Sequence, residues 1–87
     1  MLATLYAITA TDHNGNDWIA VKEAVFGGWC AMTPEDVRIR MRMDREAYKP
    51  WPHHRDVYVC RSYAENQCAQ ARESLPAFEW SVKRFAR

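Results

Sequence analysis

The residues best equipped for chemistry are His53, His54, Arg55 and Asp56, which follow a stiff Pro50-Trp51-Pro52. Two imidazoles with an arginine and a carboxylate could supply the general base, general acid and phosphate clamp of an RNA-cleaving site. Neighbouring side chains on extended backbone point to opposite sides, however, so adjacent histidines rarely converge on one substrate. A solvated loop leading into a strand is the simpler reading. A metal site would have to gather His13, His53, His54, Cys60 and Cys68 from distant elements, because neither spaced cysteine pairs nor histidines at i and i+4 occur. Gly15, Gly27 and Gly28 cannot be written into a phosphate-binding loop, and a serine nucleophile elbow is missing. The sequence points away from an enzyme and implies neither cofactor nor metal.

Binding is better supported. Arg38, Arg40 and Arg42 alternate with Val37, Ile39, Met41 and Met43. As a strand, this stretch would align the three arginines in one cationic ridge suited to nucleic acid. As a helix, it would scatter them, since each residue turns about 100° around the axis. The residues just upstream favour the helix: Thr33 reads as an N-cap, Pro34 as the first helical residue, and Asp36 sits in a capping-box-like position. Methionine and arginine are good helix formers, and Asp44-Arg45-Glu46-Ala47 continues well. A helix here has two apolar sides. Val37, Met41 and Tyr48 fall together, while Ile39, Met43 and Ala47 fall nearly opposite, so the element can sit between a sheet and a partner. Arg38, Arg42 and Arg45 then share roughly one side, and Arg40 turns away.

Charge is unevenly written. Residues 1–37 carry Lys22 against five carboxylates, a net of −4, whereas residues 38–63 carry seven cations against three acids, a net of +4. If folding separates these blocks, the molecule is bipolar, and such fields steer partners. Nine of the twelve cations are arginine, and there are four tryptophans. Arginine, tryptophan and tyrosine dominate binding hot spots because they join large contact area to directional hydrogen bonds. Trp18, Trp29 and Trp80 lie in strand-like contexts and read as core. Trp51, held between prolines in a loop, reads as an exposed anchor. The expected partner-binding set is therefore Arg38, Arg40, Arg42, Arg45, Trp51 and Arg55. Trp51, His54 and Tyr58 interleaved with these arginines also suit single-stranded nucleic acid, although the near-neutral total charge of +1 argues against a dedicated nucleic-acid domain.

The elements that must position these residues can be read in order. Leu2–Thr11 is a strand, Asn14-Gly15 marks a hairpin, and Trp18–Phe26 returns with Ile19, Val21 and Val25 on one face. Gly27-Gly28 breaks it, and Trp29–Met32 is a short strand before the helix of residues 33–47. Asp56–Arg61 reads as a strand. Ser62-Tyr63-Ala64-Glu65 reads as a capping box opening a helix with Ala64, Cys68, Ala71 and Leu75 on one stripe, which Pro76 ends. Phe78–Lys83 closes the chain with Phe78, Trp80 and Val82 on one side. The expected fold is α+β: a small, mainly antiparallel sheet, built from an N-terminal hairpin and two C-terminal strands and covered on one face by one or two helices. Eighty-seven residues make one compact domain, residues 1–87. Three cysteines that cannot all pair read as reduced thiols, and the polar N-terminus lacks the basic flank and length of a signal peptide. A cytoplasmic protein, with no membrane span, is expected.

In size and organisation the chain resembles small phage-encoded inhibitors of bacterial defence, including anti-CRISPR proteins. The resemblance rests on the terse strand Met1–Ala10, the polar Asn14-Gly15 hairpin and the compact length. It implies a cofactor-free inhibitor that covers a surface of a CRISPR effector or other nucleoprotein complex in the host bacterial cytoplasm. Many such inhibitors are strongly acidic mimics of DNA. The basic centre of this chain departs from that pattern and implies blocking of a protein surface, or binding beside guide RNA. Three functions are thus in view: an inhibitor acting through an Arg/Trp face, a single-stranded nucleic-acid binder, and a histidine-dependent ribonuclease.

Overall fold

The computed structural model describes residues 4–23, 28–47 and 56–85. Its elements are β1 (Tyr6–Thr11), β2 (Asp17–Lys22), β3 (Trp29–Met32), α1 (Pro34–Ala47), α2 (Arg61–Ser74) and β4 (Ser81–Arg84). The strands form one antiparallel sheet in the order β3-β2-β1-β4. The fold is α+β.

Strand parity explains the layering. Ile8 and Ala10 of β1, Ala20 of β2 and Val82 of β4 pack with Ala64, Cys68 and Ala71 of α2. Their neighbours Leu5, Ala7, Ile19 and Val21 pack instead with Val37 and Met41 of α1. Successive side chains on a strand alternate between faces, so the two helices lie on opposite sides of the sheet. The expectation of helical cover on one face is corrected accordingly. Alanine and cysteine on the buried stripe of α2 leave little side chain between helix and sheet, which lets the helix lie close. Each large apolar side chain sealed in these two cores, such as Ile8 or Val21, contributes roughly 1.5–3 kcal/mol.

The β1–β2 connection is a wider turn than a two-residue hairpin. Gly15 N donates to Asp12 O at 3.0 Å, and Asp12 N donates to Asn16 O at 2.9 Å. Among the described residues, only Gly15 takes a left-handed backbone, with φ of 84°. Asp12 organises the loop: its Oδ1 accepts from the amides of Asn14 and Asn16, both at 2.9 Å, and its Oδ2 accepts from Trp18 Nε1 at 3.0 Å. The Trp18 bond, followed by that from Asn16, holds the Asp12 carboxyl below its ordinary pKa.

Several expected boundaries change, and the last strand runs Ser81–Arg84 rather than Phe78–Lys83. Asp56–Arg61 is not a strand: only Tyr58 pairs, in a single bridge with Tyr6, and α2 has already begun at Arg61. The sheet takes its fourth strand from β3. The Ser62 capping box does not form either, because α2 starts two residues earlier with Cys60 as N-cap and no side-chain cap bond. The reason lies in the sheet. Continuing the β1–β2 register, in which Thr11 faces Asp17, would set Lys22 opposite Tyr6. Tyr58 occupies that place, exchanging two 2.8 Å backbone hydrogen bonds with Tyr6, and this anchor sets where the chain turns into α2.

Candidate functional site

The ambiguous segment is helical. Thr33 caps α1 through its Oγ1, which accepts from Asp36 N at 3.1 Å, while Val37 N donates to Thr33 O at 3.1 Å. Glu35 and Asp36 occupy the first turn, where carboxylates suit the positive end of the helix dipole. Val37 and Met41 face the sheet. The rotation this imposes divides the arginines.

Arg40 turns inward. Its Nε lies 3.1 Å from Asp56 Oδ2, and its Nη1 lies 3.3 Å from Glu23 Oε1 and 3.0 Å from Met32 Sδ. The Asp56 carboxylate is 0% exposed. A guanidinium held between two carboxylates ties α1 to the end of β2 and to the segment entering α2, so Arg40 serves the fold rather than an open face. Cys30 joins the edge of this cluster, its Sγ 3.5 Å from Glu23 Oε1. Burial, and then the bond to Glu23, raises the Cys30 pKa, so the group stays a thiol and donates. Asp56, expected in a loop with the histidines, is thus a core residue. Nothing local in the sequence signals the pair, because its members stand sixteen positions apart.

The opposite side of α1 faces solvent. Ile39 is 39% exposed and Met43 64% exposed, one helical turn apart, with Arg42 exposed between them. Arg38 is half-buried, its guanidinium carbon 5.1 Å from the centre of the Phe85 ring at the end of β4. Arg45 lies on the last turns of α1. Trp51, His53, His54 and Arg55 lie outside the described residues. Of the six residues expected to bind a partner, the structure therefore places Arg38 and Arg42 beside one apolar outer face and sends Arg40 to the other side of the helix.

The remaining expected core aromatics are sealed or half-sealed on the α2 side of the sheet. Trp80 is buried and donates through Nε1 to Leu75 O at 3.0 Å, while Trp18 and Trp29 are half-buried against the α2-side core. Phe78 sits between Trp18 and Trp80, with ring centres 6.3 and 5.1 Å away. Among the described residues, no group of three or more His, Cys, Asp or Glu side chains is placed to hold a metal ion, and no helix is long and apolar enough to cross a membrane. No family model matches this chain, and neither the curated proteins nor the solved structures compared with it include a match.

Proposed function

We propose that this chain is a non-enzymatic binding protein that covers part of a partner protein with the outer face of α1. The observation that carries this reading is the exposed pair Ile39 and Met43, at i and i+4, flanked by Arg38 and Arg42. Val37 and Met41 already supply the side of α1 that the fold needs. A second apolar side at helical spacing is the pattern by which an amphipathic helix docks into a groove. The flanking guanidinium groups would make charge-assisted bonds to carboxylates around an apolar seat. Arg45, Trp51 and Arg55 extend the same proposed face on sequence grounds. The organisational resemblance to phage inhibitors of bacterial defence directs the search for that partner to CRISPR effectors and other nucleoprotein complexes of the bacterial cytoplasm.

The test is capture and inhibition of purified CRISPR effector complexes by the immobilised and the free protein. Arg42→Glu combined with Met43→Glu should weaken capture at least about tenfold, in line with loss of a hot spot, while thermal unfolding stays near wild type because both sites are exposed. Effectors that neither bind nor lose nuclease activity, or that bind the double variant equally well, would sink the reading.

A further inference from the structure

The helix that breaks the arginine ridge of residues 38–42 removes the nucleic-acid surface suggested by strand alternation. The fold gathers a different cluster of aromatic and basic side chains on the far side of the sheet. Tyr6 opens β1 with Tyr58 bridged to it on one side and Arg84 of β4 opposite it on the other. Because Tyr6 spends both backbone groups on Tyr58, its pairing with Arg84 is of the non-hydrogen-bonded kind, which brings the side chains closest. All three project to the α2 side of the sheet. The first turn of α2 completes the group. The Arg61 guanidinium carbon lies 6.0 Å from the centre of the Tyr6 ring, and the Tyr63 ring meets Tyr58 edge-on at 5.6 Å and 62°.

We propose that this patch of Tyr6, Tyr58, Tyr63, Arg61 and Arg84 binds single-stranded nucleic acid. Tyr63 is 54% exposed yet held by Tyr58, so it offers an ordered ring face to a base. Tyr6 and Arg61 form a second stacking position, since a guanidinium already lies over that ring. Arg61 and Arg84, both exposed, reach phosphates. Charge selects this occupant. Arg61 Nε meets Glu65 Oε1 only in an open pair at 3.8 Å, with side chains 65% and 49% exposed, which contributes little and yields readily to a phosphate. Asp56, two residues before Tyr58, is wholly buried against Arg40. Tyr58, whose pKa burial pushes up to about 12, stays neutral beside a polyanion. The exposed Tyr63 ring and the half-buried Tyr6 ring, with cations at their rim, fit bases on a charged backbone better than an acidic peptide, which has no planar groups to use them.

This inference is independent of the α1 reading, and its test separates the two. Fluorescence anisotropy of the intact protein with labelled mixed-sequence DNA and RNA single strands should show binding at low salt. Affinity should fall with salt at a slope of roughly 0.7 per phosphate contact. Tyr63→Ala should weaken binding about fivefold to a hundredfold, the range for losing one stacked base. Arg61→Ala and Arg84→Ala should each lower the salt slope by about 0.7. Arg42→Glu with Met43→Glu, on the other face, should leave stacking-dependent binding in place. Circular dichroism melting checks that each variant is folded. The proposal fails if the oligonucleotides give no anisotropy change at low salt. It also fails if Tyr63→Ala and Arg84→Ala bind like wild type, or if a poly-glutamate peptide binds the patch and the oligonucleotides do not.

Discussion

Arg40 shows how one rotation of a helix changes what a residue is for. Its sequence neighbours Arg38 and Arg42 are two positions away, yet its guanidinium lies against Asp56 and Glu23 on the inner side. Removing one member of such a buried pair costs far more than replacing both, since the remaining carboxylate keeps its desolvation penalty. Arg40→Met should therefore destabilise the protein by roughly 3–5 kcal/mol in urea unfolding. The double variant Arg40→Met, Asp56→Leu should recover much of that loss. An Arg40→Met protein as stable as wild type would return Arg40 to the list of residues available for a partner. The histidines next to Asp56 remain a sequence-level expectation, because their positions lie outside the described residues.

At the scale of elements, the cap of α1 was legible although the alternation after it also fitted a strand, and the start of α2 was not. Thr33, Pro34 and Asp36 act through bonds within one turn, so residue type and spacing specify the cap. Thr33→Ala should accordingly lower stability by about 1 kcal/mol, read as a shift in urea midpoint with unchanged slope. Thr33→Ser should restore most of it; an Ala variant matching wild type would show that the cap contributes nothing here. Ser62-Tyr63-Ala64-Glu65 carried an equally good local signal and lost. The bridge between Tyr6 and Tyr58, fifty-two positions apart, sets where the chain leaves the sheet, and helix begins at once. The buried stripe of Ala64, Cys68 and Ala71 was readable because period and residue size both pointed to it. Its placement on the face opposite α1 was not, since either face of the sheet offers apolar side chains.

Across the whole molecule, strand pairing sets which charged side chains meet at each end of the sheet. Asp12 and Asp17 lie at the hairpin end, while Tyr6, Lys83 and Arg84 share the opposite end, where Arg61 also starts α2. Antiparallel pairing brings Arg84, from the C-terminal segment, to the Tyr6 pole of the sheet. The Tyr58 ring at that pole also shapes stability against pH. Its pKa is about 12 in the folded state, through burial first and then the neighbouring Tyr63 and Asp56, against about 10 when unfolded. Above pH 10 the unfolded chain loses this proton and the folded protein keeps it, so stability should fall between about pH 10 and 12. Below pH 10 the group is neutral in both states and adds no slope. Tyr58→Phe should flatten that alkaline limb in unfolding experiments run across the range; an unchanged limb would show that Tyr58 is not its source.

By itself the sequence determined the α+β class, the Asn-Gly turn region, the cap of α1 and the small-residue stripe of α2, because each depends on spacing within a few residues. It also specified that a helical reading of residues 33–47 turns Arg40 away from Arg38 and Arg42, which is plain geometry of the 3.6-residue turn. Only the tertiary structure decided that Arg40 has a buried carboxylate waiting for it, that the helices take opposite faces, and that three tyrosines and two arginines meet at one end of the sheet. Those outcomes depend on strand register and on contacts between residues far apart in the chain, which no local pattern encodes.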